Sequence, residues 1–126
     1  MGGMKRNTDI RLHVKFSLTG EGKGEFFGPG VLELLGYVRE TGSIQQAARK
    51  MGLSYVKALK ILKLSEEGFG RPFLSRRKGG AERGKSELTA FGERFLERYV
   101  AFCGEAEREL SERFAEVAAE VMGEEP

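Results

Sequence analysis

The sequence predicts a mainly α-helical fold with a small β component (α+β). Three observations predict it: apolar residues recur at helical spacing in four stretches, they alternate with polar residues near the N-terminus, and glycine-rich turns separate these stretches. At 126 residues the chain is long enough for one hydrophobic core, so we expect a single domain over 1–126. Within it we expect an N-terminal β-hairpin at 10–27, a helix-turn-helix region at 28–89 and a long C-terminal helix at 90–122.

The composition argues against several classes of protein. One cysteine, Cys103, and one histidine, His13, leave too few ligands for an internal disulfide or a metal site, and we expect no metal and no cofactor. No apolar run approaches the roughly 18 residues of a membrane span, and the N-terminus lacks a secretion signal. We therefore expect a cytoplasmic protein without a membrane partner.

Charge is distributed unevenly along the chain. Residues 43–86 hold eleven Lys or Arg against three Glu, a net charge of +8. Residues 90–126 hold four Arg against ten Glu, a net charge of −6. The first segment is suited to a polyanionic partner, and the second would repel one.

The first elements follow from two patterns. Alternating apolar residues in "RLHVKFSLT" predict a strand over 12–18, "GEGK" a turn, and "GEFFG" a short return strand. Pro29 then suits a first helical position, and an apolar stripe at i, i+3, i+4 and i+7 predicts a helix that ends near Thr41. That stripe consists of Val31, Leu34, Leu35 and Val38.

Two short helices joined by a glycine turn are predicted next. Ser43 and Gln46 have the spacing of a capping box, in which each side chain bonds the other's backbone amide, and this helix ends near Met51. Gly52 permits a left-handed residue, and Ser54 can cap a further helix through "YVKALKILKL".

Helical spacing divides this further helix into two faces. One face, directed to the core, holds Tyr55, Ala58, Leu59 and Leu62. The opposite face is basic with one apolar residue, and it holds Val56, Lys57, Lys60 and Lys63. Lysine side chains in this arrangement can read guanine acceptors in a major groove, although a solvated face would show the same pattern.

The remaining elements are a second hairpin and the long helix. The stretch "EEGFGRPFLSRR" predicts a glycine-broken loop followed by a strand over about 72–77, and "SELT" a return strand. Thr89 is placed to cap a helix whose apolar stripe continues to Gly123. This stripe is longer than one small domain can cover, and it runs from Phe91 to Val121.

The turn of this second hairpin contains "GGAERGKS", which matches the phosphate-binding loop pattern G-x-x-x-x-G-K-[ST]. A nucleotide site of this kind needs a buried strand before the loop and a helix directly after it. The strand before this loop, "FLSRR", is too charged to be buried on both sides. A flexible turn, or a turn that contacts a phosphate backbone, fits the surroundings better than a nucleotide-binding enzyme.

Four pieces of the chain, "GSIQQAA", "LSYVKA", "RKGG" and "LTAFG", resemble in order and separation the N-terminal DNA-binding domain of the ModE family. These are molybdate-responsive transcriptional regulators related to LysR-type winged helices. The resemblance covers about residues 27–99. It departs from the family at Leu59, where Trp is common, and at "ERGK", where a glycine run is common.

The resemblance implies that 28–89 is a winged helix-turn-helix, with "FLSRRKGGAERGKSELT" as the wing and the long last helix as the dimerisation helix. Family members that sense molybdate carry C-terminal oxyanion-binding domains, and this chain ends where those would begin. Molybdate sensing is therefore not carried over. The alternatives are a chain that acts alone, as a constitutive or differently regulated repressor, and a chain that relies on a separate effector or partner protein.

We therefore predict a homodimeric DNA-binding transcriptional regulator that lacks an oxyanion-sensing domain, is not an enzyme and binds a roughly two-fold symmetric duplex. The alternative is a protein interaction module built on a winged-helix scaffold. The predicted DNA contacts of the helices are Gln45, Gln46, Ser54, Tyr55, Val56, Lys57 and Lys60. Those of the wing are Arg76, Arg77, Lys78, Arg83 and Lys85.

Overall fold

The computed structural model describes residues 10–76 and 85–123, and its elements confirm the predicted α+β class. In chain order they are β1 (Leu18–Gly20), β2 (Lys23–Phe27), α1 (Pro29–Thr41), α2 (Ile44–Lys50), α3 (Tyr55–Phe69), β3 (Leu74–Arg76), β4 (Ser86–Leu88) and α4 (Ala90–Met122). The strands form two antiparallel pairs, β1 with β2 and β3 with β4. No helix within the described ranges is long and apolar enough to cross a membrane.

The chain divides into two compact units. One unit holds residues 15–99, and the other combines the N-terminal segment up to residue 14 with the chain from residue 100 onward. Helix α4 contributes its first ten residues to the former unit and the rest to the latter.

The core of residues 15–99 is built from the predicted helical stripes and a cluster of aromatic rings. Leu34, Leu35 and Val38 of α1 are fully buried, and Ala58 and Leu62 of α3 are at most 1% exposed. The rings of the cluster lie 4.9–6.0 Å from their neighbours, mostly edge to face, which is the preferred geometry of aromatic pairs. The cluster consists of Phe26, Phe27, Phe69, Phe73, Phe91, Phe95 and Tyr99.

The predicted strand over 12–18 is wrong for most of its length. Residues 12–17 keep the alternation of half-buried and exposed side chains, but the paired strand begins only at Leu18. Within the second unit, Ile10 and Leu12 line a groove together with Phe114 and Ala118 of α4. Because an extended segment lying on a helix also buries every second side chain, the alternation did not require a sheet.

The predicted loop at "EEGFG" is also wrong, since α3 continues through it to Phe69. A Cβ at Gly68 would overlap the ring of Phe26, so the ring occupies the space that a side chain would need. Phe69 packs edge to face against Phe26 and Phe27, at 5.3 and 5.8 Å between ring centroids. Aromatic packing therefore extends the helix in spite of the weak helix propensity of Gly68, and the helix ends at Gly70 with φ 72°.

Candidate nucleic-acid interface

The turn between α2 and α3 is held by backbone hydrogen bonds at the predicted glycine. Gly52 has φ 69°, a left-handed conformation that a residue with a side chain adopts only with strain. The amides of Gly52 and Leu53 donate to the carbonyls of Arg49 and Ala48, at 3.1 and 2.9 Å. These bonds fix the exit from α2 and with it the direction in which α3 begins.

Serine side chains cap both helices of this motif. The hydroxyl of Ser43 accepts from the amide of Gln46 at 3.0 Å, and the hydroxyl of Ser54 accepts from the amide of Lys57 at 3.1 Å. The other half of the predicted capping box is wrong, because the amide of Ser43 donates to the hydroxyl of Thr41. The side chains of Gln45 and Gln46 are exposed at the start of α2.

The outer face of α3 is open to solvent. Lys57, Lys60 and Lys63 are exposed, and Val56 is 66% exposed. The predicted core position of Tyr55 is wrong, since its side chain is 45% exposed. Tyr55 is the first residue of α3, and the buried face starts one turn later, at Ala58.

The exposed lysines of α3 are not neutralised by nearby carboxylates in the described chain. Ion pairs there join Arg39 to Glu93 at 3.4 Å and Lys50 to Glu40 at 3.1 Å. No ion pair or side-chain hydrogen bond between described residues involves the ammonium groups of Lys57 or Lys60. Their charge is therefore available to an anionic partner.

The second hairpin is anchored at both strands. Strands β3 and β4 pair in register, with Leu74 opposite Leu88 and Arg76 opposite Ser86. The amide of Ser86 donates to the carbonyl of Gly42 at 2.9 Å, which joins β4 to the turn after α1. Of the predicted wing contacts, Arg77, Lys78 and Arg83 lie outside the described residues; Arg76 ends β3, and Lys85 is exposed just before β4.

The described end of "GGAERGKS" does not have the geometry of a phosphate-binding loop. Such a loop opens directly into a helix, whereas Ser86 begins a strand that pairs with β3 and is only 5% exposed. Ser86, the last residue of the motif, therefore opens a strand and not the helix that a phosphate-binding loop requires.

Two residues near the hairpin were missed in the sequence. The carboxylate of Glu66 accepts hydrogen bonds from the amides of Phe73 and Leu74, at 2.8 and 3.1 Å. The guanidinium of Arg71 lies over the ring of Phe91, 4.3 Å from its centroid. Both lie in the stretch interpreted as a loop, and no local pattern marks a carboxylate whose partners lie seven and eight residues further along.

Comparison with known proteins gives the same type of fold. No protein-family profile matches the chain. The transcriptional regulator ModE of Haemophilus influenzae is 34% identical over 94 residues, which make up 75% of this chain and 35% of that protein. The chain thus spans about a third of the length of that curated relative.

Two solved structures are similar to the chain. The crystal structure of the CbnR DNA-binding domain in complex with DNA matches with a TM-score of 0.57 at 26% identity, over 75% of this chain and 99% of that one. The LysR-family transcriptional regulator VV2_1132 matches with a TM-score of 0.54 at 18% identity, over 79% of this chain and 31% of that one. The helix-turn-helix of α2 and α3, the pairing of β3 with β4 and these similarities confirm the resemblance, and the chain contains a winged-helix DNA-binding domain of the LysR and ModE type.

Proposed function

We propose that this chain is a DNA-binding transcriptional regulator that inserts α3 into the major groove as a recognition helix. The observation that carries the proposal is the exposed cationic face of α3, formed by Lys57 and Lys60 beside the 66% exposed Val56, on a winged helix-turn-helix. The similarity to a transcriptional regulator and to a domain crystallised with DNA supports it.

The start of α3 supplies the proposed base contacts, because residues near the N-terminus of a recognition helix approach the base edges. Ser54, Val56 and Lys57 lie in this first turn. A lysine donates to guanine acceptors, and the methyl groups of valine suit the thymine methyl. Lys60 extends the contact by one turn, while Tyr55 and the exposed Gln45 and Gln46 are placed to bind sugar or phosphate oxygens.

The wing supplies the proposed backbone contacts. Its cations lie in the sequence between the end of β3 and the start of β4, and the charge of this segment favours phosphate or minor-groove binding. These contacts are proposed for Arg76, Arg77, Lys78, Arg83 and Lys85.

Homodimerisation through α4 completes the proposal. Leu110, Val117 and Val121 are 41%, 50% and 66% exposed, and their spacing of seven and four residues places them on one side of the helix. A second copy of the helix would cover this stripe. The resulting two-fold symmetry would place two recognition helices one DNA turn apart, about 34–36 Å, or a multiple of that distance.

Duplex affinity measured against salt concentration tests the proposal. A duplex selected from a random pool should bind with a log-log salt slope of about −0.9 per neutralised phosphate, and the selected sequences should reveal two half-sites. A flat salt response would contradict DNA binding. It would favour instead a protein interaction module, in which the exposed apolar residues of α4 recruit a different protein.

A further inference from the structure

We infer that Glu66 is a positioning residue, whose carboxylate fixes the start of the wing to the recognition helix. The inference rests on the proposed function for its effect on DNA binding, whereas the contact itself is a property of the folded chain. One carboxylate oxygen, Oε2, accepts from the amides of both Phe73 and Leu74. The backbone carbonyl of the same residue accepts from the amides of Gly70 and Arg71, at 2.8 and 3.3 Å.

The connection between α3 and β3 has no regular secondary structure, and these four hydrogen bonds fix it instead. Gly70 leaves the helix with φ 72°, and the chain regains a strand partner only at Leu74. Buried amides need an acceptor, and Phe73 is fully buried while Leu74 is 9% exposed. A carboxylate acceptor gives stronger bonds than a neutral oxygen, so the two bonds to Oε2 contribute more than neutral bonds of the same length.

Glu66 connects the two parts of the proposed interface over a short distance. It lies six residues after Lys60 on the same helix, which is about 9 Å along the axis at 1.5 Å per residue. Its bonds end at the first residue of β3, two residues before Arg76. A movement of the start of β3 relative to α3 would therefore have to break the bonds to Glu66.

The other anchors of the wing do not depend on Glu66. Thr89 donates its amide and its hydroxyl to the carbonyl of Phe73, at 2.8 and 3.2 Å, and the amide of Ser86 bonds to Gly42. Loss of the carboxylate should leave β4 and the start of α4 in place and release mainly the amides of Phe73 and Leu74. We therefore expect Glu66 variants to remain folded.

Electrostatics and positioning predict opposite results for Glu66→Ala. Removing a negative charge beside a cationic face should strengthen binding to a polyanion, whereas releasing the wing should weaken it. Glu67→Ala is the matched control, since Glu67 is exposed on the same helix and makes no hydrogen bond or ion pair within the described residues. We expect Glu66→Ala to bind the duplex about tenfold more weakly, an effect of the size of roughly one charge-assisted hydrogen bond. Its salt slope should also be shallower. Glu67→Ala should bind unchanged or more tightly.

Two further variants isolate the role of the wing. Glu66→Gln keeps an oxygen acceptor and should restore most of the affinity. Arg76→Ala should weaken binding in the unmutated chain but much less in Glu66→Ala, because β3, once released from Glu66, no longer fixes the position of Arg76. Additive effects of the two substitutions, or equal behaviour of Glu66→Ala and Glu67→Ala, would overturn a role in DNA binding.

Amide hydrogen exchange tests the contact without DNA. In the full chain, Glu66→Ala should speed exchange at Phe73 and Leu74 by at least about tenfold and leave Ser86 and Thr89 unchanged. Unchanged protection at the two amides would overturn the inference. If the unmutated chain binds no duplex, the proposed function fails, while the exchange experiment still decides whether Glu66 fixes the wing.

Discussion

Residues 15–99 and residues 100–122 place their apolar side chains in opposite ways. In the first region Phe27, Leu34, Leu35 and Val38 are completely buried, and Phe73 is buried with them. In the second region six of the large apolar residues are 38–66% exposed: Val100, Phe102, Leu110, Val117, Val121 and Met122. The first region therefore covers the side chains of its core and, among its described residues, exposes large apolar ones only on α3, whereas the second leaves apolar surface that a partner would cover.

The two regions also differ in charge, and the difference separates two kinds of partner. The cationic face of α3 carries two exposed apolar residues, Val56 and Leu64, at 66% and 54% exposure, which suits a polyanion with apolar methyl groups in its groove. The distal half of α4 combines an apolar stripe with a surplus of Glu, which would repel DNA and suits a protein. One chain thus presents two surfaces that should respond to different substitutions.

The largest effect is expected in the buried region. Phe27 lies 5.3–5.8 Å from the rings of Phe69, Phe73, Phe95 and Tyr99, so Phe27→Ala removes the centre of the aromatic cluster. We expect a loss of about 3–5 kcal/mol in the free energy of unfolding, measured by urea denaturation.

The control for this substitution is Val100→Ala, which truncates a 50% exposed side chain of the second region. It should change the free energy of unfolding of the monomer by no more than about 0.5 kcal/mol. If Val100→Ala were as destabilising as Phe27→Ala at every protein concentration, the contrast between the regions would be wrong.

The second effect concerns assembly. Leu110→Glu combined with Val117→Glu places two carboxylates in the exposed stripe of α4, where a second copy would have to bury them. Burial of unpaired charges costs several kcal/mol, so we expect the dissociation constant of the proposed dimer to rise at least about 100-fold, as measured by analytical ultracentrifugation. Affinity for a single half-site should persist while affinity for the two-fold site falls.

Exposed positions off the stripe provide the control for assembly. Arg108→Glu changes the charge of α4 by as much as Leu110→Glu and Val117→Glu do together. It replaces, however, a residue that is already polar and exposed. It should leave the dimer intact. Dissociation by Arg108→Glu as well would indicate that net charge, and not the apolar stripe, controls assembly.

Local rules predicted the helices because the residues that decide them are neighbours. Ser43, Ser54 and Thr89 each accept the amide three residues ahead, as their positions before an apolar stripe indicated. The predictions failed where distant residues decide the outcome. Phe26 fills the space beside Gly68 and allows α3 to continue, and the groove of α4 takes the side chains of a segment that resembled a strand.

The same division holds for the candidate interface. The spacing of Lys57 and Lys60 predicted their common exposed face, since helical periodicity depends only on the helix. It misplaced Tyr55, because periodicity does not indicate how far along the helix the core extends. It gave no indication of Glu66, whose amide partners approach only when the chain folds back after Gly70.

The third effect sharpens the assignment of the cationic face. Lys57→Ala combined with Lys60→Ala should weaken duplex binding by about 1–3 kcal/mol if a base is read, and should reduce the salt slope by about one for each phosphate that the variant no longer neutralises. Fluorescence anisotropy at several salt concentrations separates the two contributions. Lys23→Ala, in the first hairpin, removes an exposed lysine elsewhere and should bind as the unmutated chain does.

The smallest effect tests a single hydroxyl in the buried region. Ser65 of α3 is fully buried, and its hydroxyl has no hydrogen-bond partner among the described residues. A buried polar group without a partner costs about 1–3 kcal/mol, and alanine is also the better helix former. Ser65→Ala should therefore stabilise the chain by about 1 kcal/mol, raising Tm by about 4–8 °C.

Ser54→Ala gives the opposite sign within the same motif, because the Ser54 hydroxyl holds the amide of Lys57. Loss of this cap should cost about 1 kcal/mol. The two serines differ in whether their hydroxyls have a partner, so equal changes in Tm would mean that hydrogen bonding does not distinguish them. A fall in Tm on Ser65→Ala would mean that its hydroxyl is satisfied in solution, and that the first region is packed around a polar contact and not around apolar side chains alone.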